Sequence, residues 1–209
     1  MYIPNAFRED DLDKLVGFMR AHSFATLVSV LDGSPFASHV PLLVRRQGGV
    51  VLLIGHLAKP NPQWKAFGSG ESLAIFTGPH AYISPSLYEK RESVPTWNYI
   101  AVHAYGTPRI IMLADAPQAL EEVLQGLIEV YDPSYRSQWD ELSEKYRAGM
   151  MNGIVAFEMT VTRLEGKYKL SQNRGQDDQR SVAQSLLQST DPTISGVGDA
   201  MKANLEPEG

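Results

Sequence analysis

Apolar residues first recur at helical spacing and then at the spacing of strands. Leu12, Leu15, Val16 and Met19 form one stripe, and acidic residues crowd the start of the segment, so a helix is predicted over residues 10–20. Residues 24–31 read as a strand, Asp32-Gly33 as a two-residue turn and residues 36–44 as the returning strand of a hairpin. Gly48-Gly49 turns the chain into residues 50–54, completing a predicted three-strand antiparallel meander. A proline-bearing loop follows, in which Asn61 caps a short helix with Pro62 at its first position. Residues 72–77 are the next strand, resumed at Tyr82-Ile83 after Gly78-Pro79. A strand from Trp97 runs to about Met112, interrupted near Gly106 and Pro108.

Pro117 opens an amphipathic helix carrying Leu120, Val123, Leu124, Leu127, Ile128 and Tyr131 on one face. A second helix is predicted over residues 139–147, and residues 154–161 close the sheet. Beyond about Gly175 the chain is rich in Gln, Ser and Asp. One short helix is expected around Val182, Leu186 and Leu187, and another over residues 194–205. Residues 1–175 are read as the main domain and 176–209 as a helical appendage packing on it or on a partner subunit. Many short antiparallel strands with late helices indicate an α+β chain built on a small antiparallel β-barrel, not a doubly wound sheet.

With 43% hydrophobic residues among 209, the chain can bury a core of useful size. The absence of cysteine excludes disulfides, thiol catalysis and cysteine-ligated zinc. No signal peptide and no membrane-length apolar run is evident, so a soluble cytoplasmic protein with no membrane partner is expected. A formal charge of −5 works against nonspecific nucleic-acid binding, and the basic residues are scattered.

No phosphate-binding glycine loop and no nucleophile elbow is present. The five histidines (His22, His39, His56, His80 and His103) lack paired metal-ligand spacing, and no metal is expected. His56 and His103 adjoin segments rich in binding groups, although a hydrogen-bonded structural histidine is an equally ordinary reading of each. Residues 56–65 carry Lys59 and Lys65 beside a helix N-terminus, a combination suited to a terminal phosphate or simply a capped helix with solvated lysines. The stretch Val94-Pro95-Thr96-Trp97-Asn98-Tyr99-Ile100-Ala101-Val102-His103 offers an indole, a carboxamide, a phenol and an imidazole. Such a mixture fits a flat heteroaromatic ligand with a polar rim, or a core strand with a Trp anchor. Lys169, Gln172, Asn173 and Arg174 add two cations and two amides in one short loop.

Five motifs in order resemble the PaiB family, described as FMN-binding negative transcriptional regulators. They are Met1-Tyr2-Ile3-Pro4; Gly55-His56-Leu57-Ala58 with Asn61-Pro62-Gln63-Trp64; Gly78-Pro79-His80-Ala81-Tyr82-Ile83-Ser84; Val94-Pro95-Thr96-Trp97-Asn98-Tyr99 with Val102-His103; and Tyr168-Lys169-Leu170-Ser171-Gln172-Asn173-Arg174. The resemblance covers nearly the whole chain. It implies a split β-barrel similar to the pyridoxamine-phosphate oxidases and flavin reductases, a homodimer, and FMN in clefts between subunits. On that picture His56, Lys59, Asn61 and Lys65 serve the phosphate. Trp97, Asn98 and His103 serve the ring or a substrate, and Lys169, Gln172, Asn173 and Arg174 line the cleft. Lys59 lies between the matching parts of its motif and is a less secure member. The resemblance also promises repression, yet no helix-turn-helix, zinc finger or basic helix supports direct DNA binding. A flavin-dependent oxidoreductase of a small molecule and a haem-binding split-barrel protein are the alternatives.

Overall fold

The Asp32-Gly33 turn shows local sequence dictating backbone. Both residues take positive φ, 51° and 76°, the requirement of the tight hairpin turn whose twist matches its strands. In the computed structural model, which describes residues 1–111 and 117–205, this turn joins β2 (Phe24–Leu31) to β3 (Ser34–Pro41), in register from Leu31↔Ser34 to Phe24↔Pro41.

The expected three-strand meander is corrected at Leu42. Residues 36–44 are not one strand: β3 ends at Pro41, and β4 (Leu43–Gln47) pairs with β5 (Val50–Ala58) in another sheet. The Leu42 N–H still goes to the Ser23 carbonyl at 2.9 Å, in the register of the β2–β3 ladder, and from Leu43, opposite Ile54, the chain pairs with β5 instead.

The described chain divides into two units. The first contains Met1–Phe18, Thr77–His103 and the described residues from Glu165 onward. Its strands lie in the order β1 (Arg8–Glu9), β10 (Arg163–Lys169), β7 (Thr96–Gly106) and β6 (Ser72–Ile83). Helices α5 (Gln176–Leu187) and α6 (Pro192–Leu205) bury Val182, Ala183, Leu186, Val197 and Met201. The second unit contains Met19–Phe76 and Ala104–Leu164. It holds the order β6-β2-β3 and the four-stranded order β4-β5-β9-β8, with β8 at Pro108–Ile111 and β9 at Ile154–Thr160. Helix α1 (Leu12–Ala21) and strands β6, β7 and β10 run from one unit into the other. All the strand pairings with a defined register are antiparallel, in keeping with the α+β class expected.

Three further expectations change. Gly78-Pro79 does not interrupt β6, because proline's φ suits extended backbone and costs one donor only. The helix expected over 139–147 is two, α3 (Arg136–Glu141) and α4 (Glu144–Asn152). Leu142 is extended, and Ser143 restarts the helix by accepting the Tyr146 N–H at 3.3 Å. Strand β10 was not expected, since Arg163-Leu164-Glu165-Gly166-Lys167-Tyr168-Lys169 has no apolar alternation. It forms by pairing with β1, Arg8↔Lys167 and Glu9↔Gly166. The predicted strand end at Met112 lies outside the described residues. Helix α2 (Pro117–Tyr131) packs Val123 and Leu127 on Leu43 and Ile54, using the predicted stripe.

Candidate functional site

In the second unit, His56 stands on β5 opposite Ala156, not in the loop where it was expected. Its ring is partly buried, and Nδ1 is enclosed without a hydrogen-bond partner. Burial holds its pKa below the ordinary 6.5, so it is neutral at pH 7. After Ala58 the chain makes a five-residue 3-10 helix, Pro62–Ala66. Asn61 caps it as predicted, its Oδ1 accepting the Gln63 N–H at 3.0 Å while its Nδ2 donates to Ser38 Oγ at 2.8 Å. The expected open N-terminus is therefore partly closed, because the cap occupies one of its donors. Lys59 and Lys65 are exposed and make no ion pair among the described residues. The Lys59 carbonyl accepts the Trp64 indole N–H at 3.0 Å, closing the turn on itself.

Gln63 stands in this motif without a role in the sequence reading, and no composition signal separates a buried glutamine from a surface one. It is fully buried. Its Nε2 donates to the Leu27 carbonyl at 2.9 Å and to Ser29 Oγ at 3.1 Å, and Ser29 Oγ bonds Ser72 Oγ at 2.8 Å.

In the first unit, Lys169, the last residue of β10, is bonded to the start of β7. Its Nζ donates to Thr96 Oγ1 and, at 2.7 Å, to the Trp97 carbonyl. Burial, and then neighbouring Lys167, lower its pKa. Asn98 is fully buried, its Nδ2 donating to Ser171 Oγ at 2.8 Å while Oδ1 has no partner. Ser171 takes a positive φ of 65°, a conformation that residue pays for in strain. Gln172 is consumed inside the loop: Oε1 accepts the Leu170 N–H at 2.7 Å and Nε2 donates to the Tyr168 carbonyl at 2.5 Å. Arg174 lies over the Tyr88 ring at 4.3 Å, and Asn173 is exposed.

Trp97 is 53% exposed. Its ring has His80 at 6.0 Å and the edge of Tyr82 at 6.2 Å. His103 is partly buried, and its pKa is lowered by burial first and by the chain's amino terminus second, against an opposing pull from Glu165. The structure thus brings Trp97, Asn98, Lys169 and the 171–174 loop together in one unit. His56, Asn61, Lys59 and Lys65 occupy the other. No group of three or more potential metal ligands occurs among the described residues, nor is any described helix long and apolar enough to cross a membrane.

The family described as "Putative FMN-binding domain" matches residues 1–163. This chain belongs to that FMN-binding family. FMN is the family's cofactor, and flavin is the ligand class of the chain. Across 211 residues, spanning all of both chains, it is 36% identical to the protease synthase and sporulation protein PAI 2 of Bacillus subtilis, which places it among PaiB proteins. Two solved structures share its fold at lower identity. One is an FAD and heme binding protein from Mycobacterium smegmatis, with TM-score 0.57 and 16% identity, covering 82% of this chain and 78% of that one. The other is the flavocytochrome Anf3 from Azotobacter vinelandii, with TM-score 0.55 and 17% identity, covering 78% and 69%. The fold of this FMN-binding protein is the antiparallel split β-barrel.

Proposed function

We propose that the protein binds FMN as a cytoplasmic homodimer and acts as a PaiB-like negative regulator through its flavin, not through direct contact with DNA. One observation carries the reading. Lys169 at the end of β10 and Ser171 in the loop after it are bonded to the start of β7, through Trp97 and Asn98, while the indole of Trp97 is left exposed beside Tyr82 and His80. A held polar loop next to an open aromatic surface suits a planar ring with a polar rim.

The residues fit the cofactor. Trp97 offers a ring face, Lys59 and Lys65 offer unpaired positive charge, and His56 and Asn98 each keep a buried polar atom unsatisfied. Asn98 and Gln172 are proposed to shape the ring-side loop, Asn98 through Ser171 and Gln172 through Leu170 and Tyr168. His103, Asn173 and Arg174 are proposed for the ring side, and His56 and Asn61 for the phosphate side. Residues 1–175 are proposed as the flavin-binding domain and 176–209 as its helical appendage. Bound flavin supplies hydride and single-electron transfer. The chain's own residues supply binding, orientation and exclusion of water.

The purified protein is expected to show a flavin spectrum or to acquire one on FMN titration, with saturation at one FMN per subunit of a dimer. A monomer that stays colourless in excess FMN overturns the reading. The same spectra report haem, for which His56 with its unpartnered Nδ1 is the candidate ligand; a Soret band lost in His56→Ala would favour that alternative. Steady NAD(P)H turnover would favour an oxidoreductase. A gel shift on DNA that weakens steeply with salt would restore direct repression.

A further inference from the structure

We propose that Gln63 is the positioning residue of the phosphate end, acting through the loop that carries Lys59 and Lys65 and not on the ligand itself. The inference rests on the reading that this loop takes the FMN phosphate. The 3-10 helix of Pro62–Ala66 is a single short turn. One of its donors, the Gln63 N–H, is already held by Asn61 at 3.0 Å. Recognition of an anion there falls to side chains, and flexible lysines bind a phosphate well only from a fixed backbone.

The fixing comes from one amide. Gln63 is fully buried, and its Nε2 reaches the Leu27 carbonyl at 2.9 Å and Ser29 Oγ at 3.1 Å, with the Phe36 carbonyl at 3.4 Å. The loop is thereby bonded to β2 and to β3, and through the Ser29–Ser72 hydroxyl pair to the first residue of β6. Asn61 adds an outer tie to β3 through Ser38 Oγ at 2.8 Å.

Neither leucine nor glutamate performs the task. Leucine at position 63 would leave the Leu27 carbonyl and Ser29 hydroxyl without this donor. Glutamate would bury a charge against those same oxygens. Gln63 Oε1 has no partner, so the residue accepts the cost of one unsatisfied atom to make its donations. A buried amide kept on those terms, in the segment that carries the exposed Lys59 and Lys65, points to a loop whose exact shape matters.

FMN and riboflavin differ only in the phosphate, and comparing them separates loop positioning from general damage. Gln63→Leu is expected to weaken FMN about tenfold, the scale of one lost buried hydrogen bond, while riboflavin changes less than about twofold. Equal loss for both flavins, or unchanged FMN affinity, would overturn the proposal. Ser38→Ala cuts only the outer tie and is expected to move FMN in the same selective direction by less. Should Gln63→Leu fail to fold, the absence of a selective effect in Ser38→Ala overturns the proposal instead. Lys65→Ala separates the two layers of the argument. If the parent protein does not prefer FMN to riboflavin, or Lys65→Ala leaves that preference intact, the phosphate reading falls and Gln63 falls with it. If Lys65→Ala removes the preference and Gln63→Leu does not, Gln63 alone is wrong.

Discussion

Two glycines in this chain are irreplaceable to different degrees, for different reasons. Gly33 sits at φ 76° with nothing within 4 Å of where a Cβ would stand, so the cost of a side chain there is backbone strain alone. A Cβ on Gly106 would lie 2.2 Å from the Thr160 carbonyl oxygen. Gly33→Ala is expected to cost about 1 kcal/mol in denaturant unfolding, and Gly106→Ala several-fold more, because strand backbone must move. The histidines set an acid limit. His22, His56 and His103 all have pKa values lowered by burial below 6.5. Below about pH 6.5 the unfolded chain takes up protons that the folded chain resists, so stability falls as pH drops through that value and is level above it. His56→Leu is expected to flatten part of that slope in melting curves taken from pH 7.5 to 5. An unchanged slope would show that His56 does not contribute.

At the scale of elements, helix α2 depends on its buried stripe. Leu127 is 8% exposed within a cluster of Leu43, Ile54 and Val123, whereas Val130 is 58% exposed. Leu127→Ala is expected to destabilise by about 2–4 kcal/mol and Val130→Ala by less than about 0.5, measured by urea unfolding. This stripe was readable in the sequence because the period of 3.6 and the burial coincide. The hairpin of β2 and β3 was readable because Asp-Gly demands its own turn. Strand β10 was not, since its buried positions include Gly166 and Lys167 and its order comes from its neighbours β1 and β7. The split of β3 from β4 was equally hidden: the apolar run from Val40 to Val44 reads as one strand, and only the pairing of Leu43 with Ile54 shows that the chain changes sheets.

For the molecule as a whole, the family and its cofactor could be read from the resemblance of five short motifs, in order, to the PaiB family, whereas their rings, amides and cations alone left a core strand and a capped helix as equally good readings. The work each residue does could not be read from them. Asn98 on β7 donates to Ser171, and Gln172 bonds to Leu170 and Tyr168 within its own loop, contacts that the motifs do not announce. Gln63 carried no role and holds a network. Neither unit is a continuous piece of chain, as the backbone passes between them at residues 18/19, 76/77, 103/104 and 164/165. No single cut, by a protease or by a cloning strategy, can therefore release one half intact.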